Sequence, residues 1–563
     1  MKKLLLLISF FLWGVVGEVW SADYHISEKG NDDNVGSEEF PWRTISKANA
    51  SLKPGDSVLI MNGNYNQQIR PLTSGLQDKY ITYKPYPGHL PIISNVSADD
   101  RTAIILDEVS YIIVEGLTIS GQQMWPNSNL NHWVKLYNSN YNIFKNNIFK
   151  YANGWHGFKL DGTSHHNQVL ENRMDALGTI DDGTTKHVKT GDILIIKSAA
   201  KYNLVANNEM SRGGHNILRV DGSYNVISGN LFDNDWGGGL GYRSVVLTSS
   251  SSSAGRNLFE KNLIVNASGS KSSPDSGGIM YSSSMKVEGS NQIVRNNFLV
   301  QSIQEGIKSE ARDGIPYVLN NRIYNNVFYG NGGPAWRTTF YTAGTSIDGN
   351  IFKNNIVYNH RQQPQNNNYD VGIGVAISKS GSQINGNQIV SNSFFKNTSG
   401  DTMFYIEGIG RKSLSWFEQN YPSNISGNYQ LSPEFILSNP INPDDFKLKL
   451  GSNLIDKGSF LTKTQDSGTG TVVAVVDSNY FTNGFNIIEG DLIQVGNNSE
   501  AKILKVDYSN NKITLDSTIS WSIGDGVSLR YAGSAPDIGA YEYGVDTSLS
   551  LPTPPNIIKL IQL

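Results

Sequence analysis

The sequence predicts an all-β chain wound as a right-handed parallel β-helix solenoid, carrying a small inserted β-domain near its C-terminal end. Three observations predict it. A pair of the form Asn-x4-Asn recurs along the middle of the chain. The segments around the pairs are short, rich in β-branched and aromatic residues, and edged by Gly and Asn. The composition, with 56 Gly, 38% hydrophobic and 17% charged residues, suits many short strands and turns rather than helices. A chain of 563 residues is long for one globular core, but a solenoid grows by stacking and escapes that limit.

The pairs are Asn142/Asn147, Asn167/Asn172, Asn203/Asn208, Asn225/Asn230, Asn257/Asn262, Asn291/Asn296, Asn321/Asn326, Asn350/Asn355 and Asn387/Asn392. Typical segments read YNIFKNNIF, YNVISGNLF and RNLFEKNLI. From first Asn to first Asn the steps are 25, 36, 22, 32, 34, 30, 29 and 37 residues. Such a period means stacked supersecondary units. The shortest step is one bare coil, and the longer ones add outward loops. Asn at a repeated bend can hydrogen-bond the same amide in the coils above and below, giving ladders at the strand spacing of ~4.8 Å.

The remaining segments fall around this core. Residues 1–22 read as a secretory signal, with Lys2 and Lys3 before the apolar run Leu4 to Val16 and a cut after Ser21 or Ala22. The expected location is therefore secreted, periplasmic or cell-surface. No later segment is long and apolar enough to cross a bilayer. With no Cys, the exported protein must hold together without disulfides. Residues 23–98 form an entry cap and first coils, with a short helix over Thr44 to Leu52 and SVLIM as first strand. The solenoid runs over 99–460. The alternating runs TVVAVVD, GDLIQVG, AKILKVDY, KITLDST and GVSLRY predict a small inserted barrel or sandwich over 461–533. It separates LIDKG from DIGAYE, a pair resembling the C-terminal end of many secreted bacterial β-helix proteins. A closing strand and a Pro-rich tail fill 534–563.

With a net charge of −4 nothing suggests a nucleic-acid partner and none is expected, while an anionic glycan needs only a local basic cluster. Counting six residues back from Asn167, Asn203 and Asn225 gives Asp161, Lys197 and Arg219. If the ladder sets the register, these three stack as a column on successive coils, and Arg243 continues it. The polar insertion GTIDDGTTKHVKTGD would wall one side of a groove above. A Lys beside an Arg suits β-elimination from a uronate. The Lys takes the proton next to the carboxylate, and positive charge, from a cation or Ca²⁺, neutralises that carboxylate. Lys197 fits the base and Arg219 its neighbour and leaving-group helper. Asp192 fits a calcium ligand, with Asp161 as a second candidate. His215, four residues before Arg219, is a candidate general acid. Trp236 and Tyr242, with Arg243, are candidate sugar-binding residues. The plain alternative is a set of surface charges paired to avoid repulsion between coils.

The stretch GDILIIKSAAKYNLVANNEMSRGGHNILRVDGSYNVISGNLFDN resembles the core of the family-6 polysaccharide lyases, which include alginate lyases and chondroitinase B. That resemblance implies Lys197 as base, Arg219 on the acid side, and Asp192 at the second of two acidic positions. The first acidic position is Thr190 here, and Val220 and Asp221 follow the Arg where the family has His and Gly. The expectation is an extracellular, monomeric protein acting on an acidic polysaccharide by β-elimination. The alternatives are a glycoside hydrolase on the same fold using Asp pairs, or a non-catalytic glycan-binding surface protein.

Overall fold

The computed structural model describes residues 21–545, apart from 95–100, 122–129, 153, 178–190, 214, 235–242, 249–254, 268–282, 341–343, 361–374, 379–383, 385, 397–402 and 497–499. The expected signal segment as far as residue 20, the polar insertion over 178–190 and the tail from 546 lie outside the described residues.

The chain is a parallel β-helix. Each coil contributes one short strand to each of three sheets, which among the described residues carry 14, 12 and 12 strands. One coil shows the plan: Ile143–Lys145 joins the first sheet, Ile148–Ala152 the second and His156–Asp161 the third. Gln168–Leu170 then lies parallel on Ile143–Lys145, one coil on.

The corners explain the repeated Asn. At the two bends flanking each first-sheet strand, one residue adopts positive φ and the ladder residue follows it. Tyr141 (φ 57) precedes Asn142, Asn146 (φ 56) precedes Asn147, and Gly229 (φ 67) precedes Asn230. Asn and Gly tolerate this region best, which accounts for the recurrent Asn-Asn and Gly-Asn pairs. The ladder side chain then turns into the core. The Asn147 backbone N–H and its Nδ2 both donate to Asn172 Oδ1, at 2.9 and 3.0 Å, and Nδ2 also reaches Val114 O at 2.8 Å. Each rung thus satisfies polar groups that the bend buries away from water.

Two rungs differ from the sequence reading. The residues in the ladders are Gln292 and Asn297, and Asn291 and Asn296 are the positive-φ residues before them. Gln supplies the same carboxamide one methylene further out. The second ladder also runs one rung beyond Asn392, to Asn428.

Alternate residues of each strand fill one continuous core from Ile26 to Ile425. Phe144, Phe149 and Phe158, one from each sheet of a coil, meet edge to face at its centre. The N-terminal end is covered by the helix Ile45–Ser51, whose N-cap Thr44 accepts from the Lys47 amide and which buries Ile45 and Ala48. Asp23–Ile26 already pairs with Ser57–Ile60, so the strand expected to be first is the second.

The C-terminal part covers two of the three outer faces. Residues between Thr462 and Leu529 form a six-stranded antiparallel sheet structure. Its apolar side packs on Val226, Leu258, Ile293 and Tyr324 of the first sheet. Phe435, Phe446, Leu448, Ile538 and Tyr541 pack on Phe298, Val327, Ile356 and other residues of the second. Among the described residues neither cluster takes one from the third sheet, which carries the catalytic candidates.

Candidate active site on the third sheet

The third sheet stacks His132–Tyr137, His156–Asp161, Asp192–Ile196, Asn216–Val220 and Arg243–Thr248 in parallel. Leu136, Leu160, Ile196 and Val220 point inward and are fully buried. The residues before and after them point outward and form two columns. One runs Lys135, Lys159, Ile195, Arg219, Val246, Lys286, Lys308, Arg337. The other runs Tyr137, Asp161, Lys197, Asp221. Its register is carried past the strand ends by the Lys197 amide donating to Leu160 O (2.9 Å) and the Asp221 amide donating to Ile196 O (2.8 Å).

Asp161 and Lys197 therefore stand opposite each other. The residue beyond Lys197 is Asp221, not the expected Arg219. Six residues separate Lys197 from Asn203, but only four separate Asp221 from Asn225, so counting through the turn slips by two. A slip of two preserves the face, and Arg219 lies outward in the neighbouring column, opposite Ile195.

The charges pair within strands. Lys159 Nζ lies 2.5 Å from Asp161 Oδ2, and Arg219 Nε donates to Asp221 Oδ1 at 2.8 Å. Burial works to raise Asp161, but Lys159, the Gly162 amide and Lys197 outweigh it and hold the carboxyl below the usual range. Deeper burial pushes Asp221 upward in spite of Arg219 and Lys197. Lys197 has Ile195 two residues before it where its neighbours have a charged partner, and it makes no ion pair among the described residues. The terminal nitrogens of Arg219 likewise find no acceptor there.

A second group occupies the opposite end of the same strands. Asp192 is buried. His215 Nδ1 lies 2.9 Å from its Oδ1, Asn216 Nδ2 donates to the same oxygen at 2.6 Å, and His156 Nδ1 is 3.6 Å from Oδ2. Burial, helped by Lys197 and Lys159 and opposed by Asp192, pushes His156 down to about 4. Asp192 is five residues from Lys197 along one strand, a backbone rise of about 16 Å, yet the side chains come near enough for Lys197 to act on His156 and for Asp192 to act on Arg219 and Asp221; His215 belongs to the Asp192 end. No local motif in the sequence marks His156; its register opposite Asp192 brings it into the group.

Asp192 and Asp161 do not form one calcium site. They stand at opposite strand ends, Asp161 is held by Lys159, and the groups around Asp192 are mostly nitrogens, whereas calcium takes six to eight oxygens. Among the described residues no group of three His, Asp or Glu is placed to hold a metal ion. Trp236, Tyr242 and the side chain of Arg243 lie outside the described residues; the Arg243 backbone pairs with Asn216.

Further along the sheet, the run containing Lys308, Glu310 and Arg312 takes part in a charge network. Lys286 Nζ reaches Glu288 at 3.1 Å and Glu310 at 2.8 Å, Lys308 reaches Glu310 at 2.8 Å, and Arg312 contacts both Glu residues. Tyr137 and Trp155, by contrast, are large aromatics left 50% and 67% exposed at this face.

A family model described as "Pel9A-like, right handed beta helix region" matches residues 24–335. A curated relative, the uncharacterized protein YwoF of Bacillus subtilis (strain 168), is 34% identical over 107 residues, which cover 18% of this chain and 23% of that protein. The match thus spans about a quarter of that relative's length. Among solved structures, pectate lyase Pel9A shares 14% identity with a TM-score of 0.44, over 93% of this chain and 96% of that one. The lacto-N-biosidase of Eubacterium ramulus shares 13% with a TM-score of 0.42, over 70% and 66%. A mannuronic acid specific family-6 lyase from human gut microbiota shares 14% with a TM-score of 0.41, over 69% and 78%. With more than half its length matched by the one family model, the chain belongs to the Pel9A-like right-handed β-helix family.

Proposed function

We propose that this chain is an extracellular carbohydrate-active protein that cleaves an acidic polysaccharide by β-elimination, with Lys197 as the base. One observation carries the reading. On a face where the neighbouring strands pair each outward acid with a cation two residues away, Lys197 has no ion-pair partner among the described residues. Membership of the Pel9A-like right-handed β-helix family agrees with it in kind.

In this reading a uronate lies over Lys159, Lys197 and Arg219. Lys197, as the free amine, removes the proton on the carbon bearing the carboxylate. The electron pair moves into a new carbon–carbon double bond, and the bond from the next carbon to the glycosidic oxygen breaks. The terminal nitrogens of Arg219 neutralise charge building on the carboxylate or on the leaving oxygen; that oxygen takes up a proton from water, and the Lys197 ammonium returns its proton to water. No step is routed through calcium.

A second reading has its own support. Asp161 and Asp221 flank Lys197 at two strand spacings, about 10 Å apart, and their surroundings push one down and the other up. Such a divided pair is what an inverting hydrolase uses, and the backbone spacing lies just beyond the usual carboxyl separation of roughly 6.5–9.5 Å.

The test is incubation with polygalacturonate, alginate and chondroitin sulfate. Elimination gives an unsaturated, ultraviolet-absorbing product that Lys197→Ala loses while its melting curve stays unchanged. Full activity in folded Lys197→Ala sinks the mechanism. Reducing ends without the absorbance favour hydrolysis, and retention on glycan resin without either product favours binding alone.

A further inference from the structure

Resting on the reading of the third sheet as the substrate face, we propose that Tyr137 is a sugar-binding subsite, taking the apolar face of a pyranose ring two strands from Lys197.

Tyr137 closes the strand His132–Tyr137, directly after the buried Leu136. It pairs in register with Asp161, which stands opposite Lys197, so two strand spacings, about 10 Å, separate its backbone from that of Lys197. Its side chain is 50% exposed and makes no hydrogen bond or ring contact among the described residues.

A nearby set of aromatics shows what a structural role looks like in this fold. Tyr111, Tyr141, His166, Tyr202 and Tyr224 are the positive-φ corner residues of successive coils. Their rings stack nearly parallel, with centroids 5.1, 5.0, 5.6 and 5.2 Å apart, so each ring's faces are occupied by its neighbours. Tyr137, four residues before Tyr141, stays out of that stack. A large amphipathic ring left half in water, on the same column as Lys197, is suited to an occupant with an apolar face and a polar rim. A pyranose has both.

The register also sets a length. In an extended polysaccharide each ring advances by roughly one strand spacing, about 4.8 Å. A chain running along the helix axis would then place on Tyr137 the ring two sugars removed from the one at Lys197. Asp161, held by Lys159, lies between them and can accept hydroxyl hydrogens.

The experiment uses the full chain with polygalacturonate, alginate and chondroitin sulfate, each intact and as short oligomers from dimers to hexamers. For the polymer that yields the unsaturated product, Tyr137→Ala should raise KM on long chains about three- to tenfold. Its kcat should stay within twofold, with no change on oligomers too short to reach Tyr137. Tyr137→Phe, which keeps the ring, should restore the KM. A product that Lys197→Ala abolishes but whose KM is indifferent to Tyr137→Ala overturns the subsite alone. An equal loss on all chain lengths, or a lowered melting temperature that accounts for the change, overturns it too. No product from any of these polymers with the unaltered chain overturns the elimination reading, and the subsite with it.

Discussion

Arg295 of the first sheet and Asp491 of the inserted β-domain meet end to end, Nη1 to Oδ2 at 2.9 Å and Nη2 to Oδ1 at 2.6 Å, with both side chains almost fully buried. Glu260, one coil before Arg295, accepts from Nε at 2.8 Å, so one guanidinium is shared by two carboxylates at the joint. Around it, Tyr324 Oη donates to Tyr480 O and Lys353 Nζ to Phe460 O. These contacts fix the insert on the solenoid and help to keep it on a face away from the third sheet.

Removing one partner of such a group strands a buried charge. Asp491→Ala should cost about 3–5 kcal/mol and expose the insert to limited proteolysis between residues 462 and 529. Replacing Glu260, Arg295 and Asp491 together by apolar residues should cost less than the single change. Thermal melting of the two variants decides this, and an Asp491→Ala protein as stable and protease-resistant as the parent would remove the argument.

The Asn ladder makes a sharper prediction. Asn208 Oδ1 accepts from the Asn172 amide and from Asn172 Nδ2, while its Nδ2 donates to Val169 O and to Asn230 Oδ1. Asn208→Ala orphans several of these groups in the core, at about 1–3 kcal/mol each. The preceding residue, Asn207 (φ 56), contributes its conformation, so Asn207→Gly should be nearly neutral and Asn207→Val costly. Urea midpoints that rank the three in another order contradict this account of the corner.

Why the fold was so legible in the sequence follows from those corners. Each bend demands a residue that accepts positive φ followed by a carboxamide, and both demands leave letters in the chain. Gln292 escaped because only its amide, not its residue type, matters to the ladder. The site was harder to read. The turns between the third and first sheets vary in length, so counting back from Asn225 reached Arg219 where Asp221 stands opposite Lys197. The partnership of His156 with Asp192 depends on a register that no local motif records. That Lys197 has no ion pair among the described residues follows from its neighbours' pairing, visible only once the columns are aligned.

Acid should loosen the sheet at Glu310. Burial favours its protonated form, but Lys286 and Lys308 outweigh that and hold the carboxyl at about 2 against a usual 4.5. A folded-state value below the unfolded one means the stabilisation is complete above pH 4.5 and disappears as pH falls towards 2, up to about 3 kcal/mol. Glu310→Gln should be less stable at pH 7 and should show a flatter stability profile between pH 4.5 and 2. Chemical denaturation at a series of pH values measures both. Parallel profiles for the two proteins would mean that Glu310 is not the group being titrated.

On the elimination reading, Asp221 positions Arg219. Its Oδ1 accepts from Nε at 2.8 Å, and the other two guanidinium nitrogens keep no acceptor among the described residues. Asp221→Asn keeps the size and one acceptor oxygen but removes the charge that fixes the fork. The expected result is a fall in kcat of roughly ten- to a hundredfold, with a smaller change in KM and an unaltered melting temperature. Arg219→Lys should lose at least as much, because an ammonium cannot hold Asp221 and a substrate carboxylate in the same fixed geometry. If Asp221 were instead the general acid of a hydrolase, Asp221→Asn would abolish the release of reducing ends and leave no ultraviolet-absorbing product at any pH. The two mechanisms therefore divide on which signal this one variant retains.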